Sequence, residues 1–302
     1  MSHNDIRQIL EKSSAEWFKT KGYPTRPEYP YILKNKSDWR KNIILPEVFD
    51  YVMERKQARN YPFPLHDWLH HGLSSQAMLF NLLGPLVLKN SLVVLAEPFK
   101  EAGITWPKQI DGEFEYQDRL AFNELQTQPT SLDFVITDHT KEPKILIEAK
   151  LVEKSFGYCS RLQSTVCSGL NPVNGILEKE CELVSVGREY WKVLIENDVL
   201  TEETLKGPTC PMAVFYQFYR EVGFAVKTNS QLVFLVDERN PFFSPATDSS
   251  LPNRLIKSLK PAVQEKVKIV TIQRIFAEIA KFFKGENWVE NLAAKYDLNS
   301  PK

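Results

Sequence analysis

Two carboxylates and a lysine lie close together in residues 131–151, which read SLDFVITDHTKEPKILIEAKL. They are Asp133, Glu148 and Lys150. Carboxylates placed side by side repel each other unless a cation neutralises them, and hard divalent cations such as Mg²⁺ take oxygen ligands. Such a cation polarises a phosphate and acidifies a bound water, while a nearby lysine orients or helps deprotonate that water and stabilises developing negative charge. The three residue types therefore predict metal-assisted hydrolysis at a phosphate.

Strand geometry predicts how these side chains meet. Residues 144–152 form the strongest predicted strand, and residues 131–137 form another. Side chains alternate between the two faces of a strand, so Glu148 and Lys150 are expected on one face. A short polar turn between the strands would pair them as a hairpin and bring Asp133 beside Glu148. Glu148 and Lys150 are also typical of a cross-strand ion pair without chemistry, and the residues alone leave both interpretations open.

Hydrophobic periodicity along the rest of the chain predicts a mixture of strands and helices. The other predicted strands cover residues 114–123, 231–236 and 267–272. The predicted helices cover residues 4–19, 74–88, 187–196, 211–226, 271–283 and 287–295. Prolines punctuate residues 23–46, which are predicted to be a loop. This pattern predicts an α/β or α+β core wrapped by helices.

The carboxylates and the lysine also form a known kind of signature. Asp133, then fourteen residues, then Glu148-Ala149-Lys150 resembles the D…(D/E)xK signature of the PD-(D/E)XK, or restriction endonuclease-like, nucleases. Leu132 stands where the family name has a proline, a position at which many members differ. The helix predicted ahead of this signature is similar to the start of the family's αβββαβ core, which has a mixed central sheet and additional helices. The resemblance implies this fold.

The resemblance also implies a set of site residues and a reaction. The residues that would hold Mg²⁺ or Mn²⁺ are Asp133, Glu148 and the carbonyl of Ala149. The residues that would complete the catalytic set are Gln76, Lys150 and Glu153. The implied reaction is hydrolysis of nucleic-acid phosphodiesters, DNA rather than RNA, and cutting both strands of a duplex favours a homodimer. The alternative is a non-catalytic nucleic-acid-binding or complex-forming subunit that keeps the nuclease fold.

At 302 residues the chain is long enough for one large domain or two small ones. Residues 1–72 are expected to form a helical and loop extension. Residues 73–228 are expected to form the nuclease-like core, with a cysteine-containing insertion. Residues 229–302 are expected to add strands and helices packed on that core.

Four cysteines follow the signature, and they are Cys159, Cys167, Cys181 and Cys210. They resemble a bacterial branch of the same superfamily in which a Cys-Pro pair leads into a helix with a Tyr-Gln pair, as Cys210-Pro211 does here. Four thiolates suit an iron–sulfur cluster or Zn²⁺, and some members of the superfamily carry such a cluster. Their cysteine order places one ligand ahead of the core, whereas all four follow it here. Buried cysteine without a metal is the alternative.

A histidine cluster, HDWLHH, contains His66, His70 and His71. In a helix His66 and His70 would share one face, a spacing that suits a pair of metal ligands. No third ligand is evident in the neighbouring sequence, so a hydrogen-bonded, interfacial or substrate-contacting role is the alternative.

Charge and hydropathy limit the function classes. Lys plus Arg and Asp plus Glu both total 38, so nucleic-acid binding requires a local basic surface. No apolar run reaches the roughly 18 residues of a membrane span, and the N-terminus lacks the apolar core of a signal peptide. We therefore expect a cytoplasmic protein that does not enter a membrane and keeps its cysteines reduced.

Overall fold

The computed structural model describes residues 1–125, 129–171 and 176–298. The strands are β1 (Thr25–Arg26), β2 (Tyr29–Leu33), β3 (Asp111–Gln117), β4 (Ser131–Thr137), β5 (Pro143–Lys150), β6 (Gln231–Val236) and β7 (Val267–Thr271). The helices are α1 (His3–Thr20), α2 (Pro46–Gln57), α3 (Ser75–Leu88), α4 (Ala96–Glu101), α5 (Ser160–Gln163), α6 (Leu177–Glu180), α7 (Glu182–Ser185), α8 (Tyr190–Glu196), α9 (Glu202–Lys206), α10 (Pro211–Val214), α11 (Tyr216–Lys227), α12 (Leu251–Ile256), α13 (Pro261–Gln264), α14 (Ile272–Phe282) and α15 (Asn287–Tyr296). Short 3-10 helices occur at Lys36–Asn42 and Leu92–Leu95. Across the described ranges, no helix is both long enough and apolar enough to cross a membrane.

Five strands form one mixed sheet in the order β3-β4-β5-β6-β7. Neighbours among β3, β4 and β5 are antiparallel, whereas β6 is parallel to β5 and β7 is parallel to β6. With α3 ahead of β3 and α11 between β5 and β6, the chain contains the predicted αβββαβ order, and the predicted fold class is confirmed. β6 and β7 follow residue 228 yet belong to this sheet, so the three-segment division stays a prediction. Residues 299–302 of its last segment lie outside the described residues.

Helices cover both faces of the sheet because β5 is apolar on both sides. Ile145 and Ile147 pack with α3 and α14, whereas Leu146 packs with α8 and α11. All three side chains are fully buried, and each contributes about 1.5–3 kcal/mol through burial. Alternation along the strand then directs Glu148 and Lys150 to the side of Leu146, which is the side that α11 covers.

The loop predicted for residues 23–46 is wrong, because this segment contains the β1–β2 hairpin and the 3-10 helix Lys36–Asn42. The backbone N–H of Leu33 donates to the carbonyl of His70 over 3.0 Å. Such pairing with a distant segment cannot be read from local periodicity. Residues 67–70 form a turn, so the helical face considered for the histidine cluster is absent.

The strand predicted over residues 114–123 is partly wrong, because β3 begins at Asp111 and ends at Gln117. Just after it the side chain of Asp118 accepts a hydrogen bond of 2.8 Å from the backbone N–H of Leu120. This local turn diverts the chain from the sheet.

Two predicted helices also have different bounds. The helix predicted over residues 187–196 begins only at Tyr190, after Gly187 adopts a φ of 81°. The helix predicted over residues 211–226 is divided into α10 and α11. The remaining predicted strands and helices match the observed ones to within two residues at each end.

Lys295 is buried where α1 packs against α15, near both ends of the described chain. Its Nζ atom donates a hydrogen bond to the carbonyl of Asn42. Nζ also lies 4.4 Å from the centre of the Trp17 ring and 5.2 Å from that of Tyr296. Burial lowers the pKa of Lys295 well below its ordinary value, because a charged ammonium loses its hydration there.

We expect Lys295→Met to stabilise the protein near neutral pH by about 1 kcal/mol or more, since a buried charge without an oppositely charged partner costs several kcal/mol. With the pKa of Lys295 lowered, the folded state binds fewer protons at this group than the unfolded chain does, so the contribution of Lys295 to stability rises with pH towards the ordinary lysine pKa. The variant should lack this rise, and the Asn42 carbonyl keeps its hydrogen bond from Asn81.

Urea unfolding at about pH 7 and about pH 9 measures the effect of Lys295→Met. The control is Lys284→Met, which removes an exposed lysine. A Lys295→Met protein less stable than wild type at both pH values contradicts the expected penalty.

Candidate active site

A cavity of about 580 Å³ opens beside β3, β4 and β5, between α3 and α11. Its charged and amide lining comes from three neighbouring strands, two helices and the segments before α3 and after β5. This part of the lining includes Gln76, Glu115, Asp133, Glu148, Lys150, Glu153, Gln217 and Arg220. The five side chains predicted as the catalytic set therefore line one cavity.

Three carboxylates form a row across neighbouring strands of the sheet. The register places Glu115 of β3 opposite Asp133 of β4, and Asp133 opposite Glu148 of β5. The flanking pairs are Phe114 with Phe134, Tyr116 with Leu132, and Phe134 with Ile147. Adjacent strands lie about 4.8 Å apart, so the row spans about two strand spacings. The structure thus brings Asp133 beside Glu148, as expected from the predicted hairpin.

Glu115 is a site residue that the sequence reasoning missed. Its φ is 53°, in the left-handed region, which costs a non-glycine residue about 1–2 kcal/mol. The buried carboxylate accepts hydrogen bonds from the Gln76 side chain at 2.5 Å and from the Ser131 hydroxyl at 2.8 Å. Strained backbone held by its surroundings is characteristic of functional sites. A glutamate in a strand carries no sequence signal of this strain.

Glu148, Lys150 and Gln217 form a closed hydrogen-bonded triangle. The ammonium of Lys150 donates to Oε1 of Glu148 at 2.7 Å and to Oε1 of Gln217 at 2.8 Å. The Gln217 amide in turn donates to Oε1 of Glu148 at 2.5 Å. The two charged side chains are 5% and 4% exposed, so this ion pair is shielded from water and keeps its geometry.

Lys150 is held in its charged form by the acids around it. Burial opposes the charge, but the carboxylates of Glu148 and Glu221 outweigh it and raise the pKa of Lys150. A permanently charged ammonium donates hydrogen bonds and cannot take a proton from water. The geometry therefore supports a role for this lysine in orienting a water and stabilising negative charge, and not in accepting a proton.

The pKa values of three other carboxyl groups in this region are raised. Burial, and then the charges of Glu148 and Glu115, raise the pKa of Asp133 well above its ordinary value. Burial likewise raises the pKa of Glu115 to about 7. Glu221 of α11 is fully buried, and burial together with Glu148 raises its pKa as well. Crowded carboxyl groups behave in this way when no cation balances them.

Glu148 has an acceptor oxygen to spare. Its Oε2 atom is buried and has no hydrogen-bond partner within the described ranges. A free carboxylate oxygen next to two further carboxylates fits a hard divalent cation. In the part of the chain that is described, no three His, Cys, Asp or Glu side chains stand at metal-binding spacing. Asp133, which accepts a 2.8 Å bond from the Ala149 N–H, must therefore turn towards an ion to bind it.

An interruption of the helix at Phe215, between α10 and α11, directs the start of α11 towards the cavity. The N–H groups of Tyr216 and Gln217, which begin α11, donate to the carbonyls of Gly157 and Phe156 at 3.2 and 2.9 Å. These acceptors belong to the segment that follows β5. The start of α11 is thus tied to the strand that carries the lysine, which places Gln217 within the triangle.

The remaining predicted residues lie around this centre. The Gln76 side chain accepts a 2.9 Å bond from the backbone N–H of His66, which orients it towards Glu115. Glu153 accepts a 2.6 Å bond from the backbone N–H of Leu151. His66 of the histidine cluster lines the cavity, whereas His70 is buried outside the lining.

Comparison with known proteins identifies a family. A family model described as "Restriction Endonuclease associating with ARP" matches residues 11–297. The chain belongs to this family. Searches of curated proteins and of solved structures return no match. Membership confirms the restriction endonuclease-like relationship predicted from the sequence.

In this restriction endonuclease-like chain the four cysteines are free thiols outside the cavity lining. Cys159 and Cys210 are buried in the apolar cluster beneath α8 and α11, and Cys181 packs against it. The N–H of Cys210 donates to the carbonyl of Gly169 over 2.9 Å, two residues after Cys167. Burial raises the pKa of Cys210 to about 12. The thiols therefore occupy one part of the fold, and their metal binding stays a prediction.

We expect Glu221→Gln to flatten the pH dependence of stability in the metal-free protein. A carboxyl with a raised pKa keeps its proton in the folded state after the unfolded chain has lost it, so the contribution of Glu221 to wild-type stability falls as pH rises above about 4.5. The variant should avoid this loss, so that by about pH 8 it gains about 1 kcal/mol or more in unfolding free energy relative to wild type, since one pKa unit corresponds to about 1.4 kcal/mol.

Thermal and urea unfolding in EDTA, from about pH 5 to about pH 8, provide the measurement. Glu202→Gln is the control, because Glu202 is an exposed acid paired with Lys206. Parallel pH profiles for wild type and Glu221→Gln would show that Glu221 titrates normally in the folded protein.

Proposed function

We propose that this restriction endonuclease-like chain is a divalent-metal-dependent nuclease that hydrolyses DNA at the cavity between α3 and α11. The observation that supports it is the meeting of Asp133 and Glu148 on neighbouring strands beside the charged Lys150. These three residues are the metal ligands and the lysine of a PD-(D/E)XK site. The DNA substrate follows from the family, whose description names a restriction endonuclease.

The carboxylates hold the metal in this proposal. Asp133, the free oxygen of Glu148 and the carbonyl of Ala149 are its ligands, and Glu115 supplies a further carboxylate within the same row. When bound, Mg²⁺ or Mn²⁺ polarises the scissile phosphate and acidifies a water. A cation held there would also favour the charged forms of Asp133 and Glu115, whose pKa values are raised first by burial and then by neighbouring carboxylates. Substrate phosphates can then enter a cavity that is otherwise acidic.

Lys150 assists the attacking water by donating to it. An ammonium has three protons, and Lys150 uses two of them on Glu148 and Gln217. The third is free for the attacking water or for the negative charge that develops on the phosphate oxygens. Gln217 keeps the ammonium in place, and Gln76 and Glu153 maintain the polar walls of the cavity around the reacting groups.

We expect Asp133→Asn and Lys150→Met to reduce Mg²⁺- or Mn²⁺-dependent cleavage by about a hundredfold or more, the usual effect of removing a group that stabilises a transition state. Supercoiled, linear and single-stranded DNA serve as substrates, and EDTA should abolish cleavage by the wild type. Asp248→Asn and Lys154→Met are matched controls, because both residues are exposed and lie outside the cavity lining.

Unfolding curves establish that each nuclease variant is folded before its activity is compared. Cleavage that persists in a folded Asp133→Asn protein contradicts the proposed site. Cleavage that survives EDTA contradicts the metal dependence.

The alternative is a complex-forming subunit, and the family description, which names association with ARP, favours a protein partner. We propose that the chain acts in the cytoplasm as a nuclease within such a complex, as a homodimer where both strands are cut. Light scattering on the purified chain gives its mass. A folded wild type that binds DNA but cleaves none, alone or with the partner, supports the non-catalytic role.

We further propose that Cys159, Cys167, Cys181 and Cys210 bind an iron–sulfur cluster or Zn²⁺ that ties the segment after β5 to α10. Thiolate ligands release their protons to a metal, which overcomes the raised pKa of Cys210. Metal analysis of anaerobically purified protein should find iron with sulfide, or zinc, and Cys210→Ala should lose it together with thermal stability. Protein that is stable and free of both metals contradicts this proposal.

A further inference from the structure

Arg220 is a cavity-lining cation whose donors are unused. It lies on α11 three residues after Gln217, so the two side chains share a helical face. Within the described ranges its guanidinium forms no hydrogen bond and no ion pair, and Nε is buried without a partner. The guanidinium lies over the ring of Tyr216, whose centre is 4.8 Å from the guanidinium carbon.

The acids around Arg220 do not satisfy it. Glu124 is engaged elsewhere, because its carboxylate accepts hydrogen bonds from Thr130 and from the hydroxyl of Tyr190. Glu221 forms no hydrogen bond in the described structure, with Arg220 or with any other group. An arginine carries five N–H donors and a permanent charge, so leaving it unpaired in a partly dry site costs free energy.

The other lysine or arginine of the cavity lining, Lys150, is neutralised by Glu148. Among the described residues that line the cavity, Arg220 is therefore the cation that forms no ion pair and whose guanidinium donors are available to an incoming anion. Its planar fork matches two oxygens of a phosphate group. Arg220 lies one helical turn beyond Gln217, about 5–6 Å along the helix surface, so an anion bound there is separate from one held at Lys150.

We propose that Arg220 binds a backbone phosphate of the substrate strand next to the phosphate that is cleaved, and so sets the position of the strand over the carboxylate row. The inference rests on the proposed nuclease function for its substrate. In a chain with equal numbers of acidic and basic residues, such a local cation provides the attraction that net charge does not.

The test measures binding of a fluorescent single-stranded oligonucleotide over a range of salt concentrations with Ca²⁺, which also takes oxygen ligands, in place of Mg²⁺, and cleavage kinetics in Mg²⁺. Arg220→Gln should weaken binding by about tenfold or more and raise KM more than it lowers kcat, since the variant loses charged hydrogen bonds to the phosphate. The slope of binding against salt should fall by about one phosphate contact. Arg254→Gln, which removes an exposed arginine of α12 outside the cavity lining, should change neither.

Arg220→Lys keeps the charge without the fork and should bind at an intermediate level, which also provides a test if the glutamine variant unfolds. Unchanged affinity and KM in folded Arg220→Gln, with cleavage intact, overturn the inference and leave the nuclease proposal standing. Weaker binding by Arg220→Gln with no cleavage by the wild type supports the inference and overturns the nuclease. Competition by inorganic phosphate as strong as that by the oligonucleotide overturns the assignment to a nucleic-acid backbone.

Discussion

The register of the antiparallel strands β3, β4 and β5 is the constraint on which the site depends. It sets Glu115, Asp133 and Glu148 side by side, and a slip of one residue would turn a member of the row to the other face. The register is held by apolar side chains on both faces of the sheet, since Ile147 and Leu146 are fully buried in opposite layers. Burial of these apolar side chains thus offsets the free-energy cost of placing three carboxylates side by side.

The two helical layers complete what the sheet begins. Gln76 comes from α3 on one face, and Gln217 and Arg220 come from α11 on the other. Each glutamine bonds a carboxylate of the row, at Glu115 and at Glu148 respectively. The cavity is therefore a place where three parts of the fold meet, and its excess of acid makes it suited to a cation and then to a phosphate.

Prediction from the sequence succeeded where one short segment carries the whole signal. β4 and β6 match their predicted bounds, and the pairing of Asp133 with Glu148 follows from a hairpin whose strands alternate clearly. It failed where distant backbone groups decide the conformation. The β1–β2 hairpin depends on bonds to the turn at His70, and the start of α11 depends on bonds to Phe156 and Gly157, none of which local periodicity records.

The sequence by itself determined the local part of the site, namely that Glu148 and Lys150 share a face and that Asp133 is within reach, because strand alternation is a property of neighbouring residues. Only the tertiary structure decided that Glu115 joins the carboxylates, that Gln217 holds the lysine in place, and that Arg220 lines the cavity with no hydrogen-bond partner among the described residues. These groups are far apart along the chain. Their meeting depends on a strained backbone, a helix break and the packing of α11 on the sheet, which are set by contacts across the whole fold.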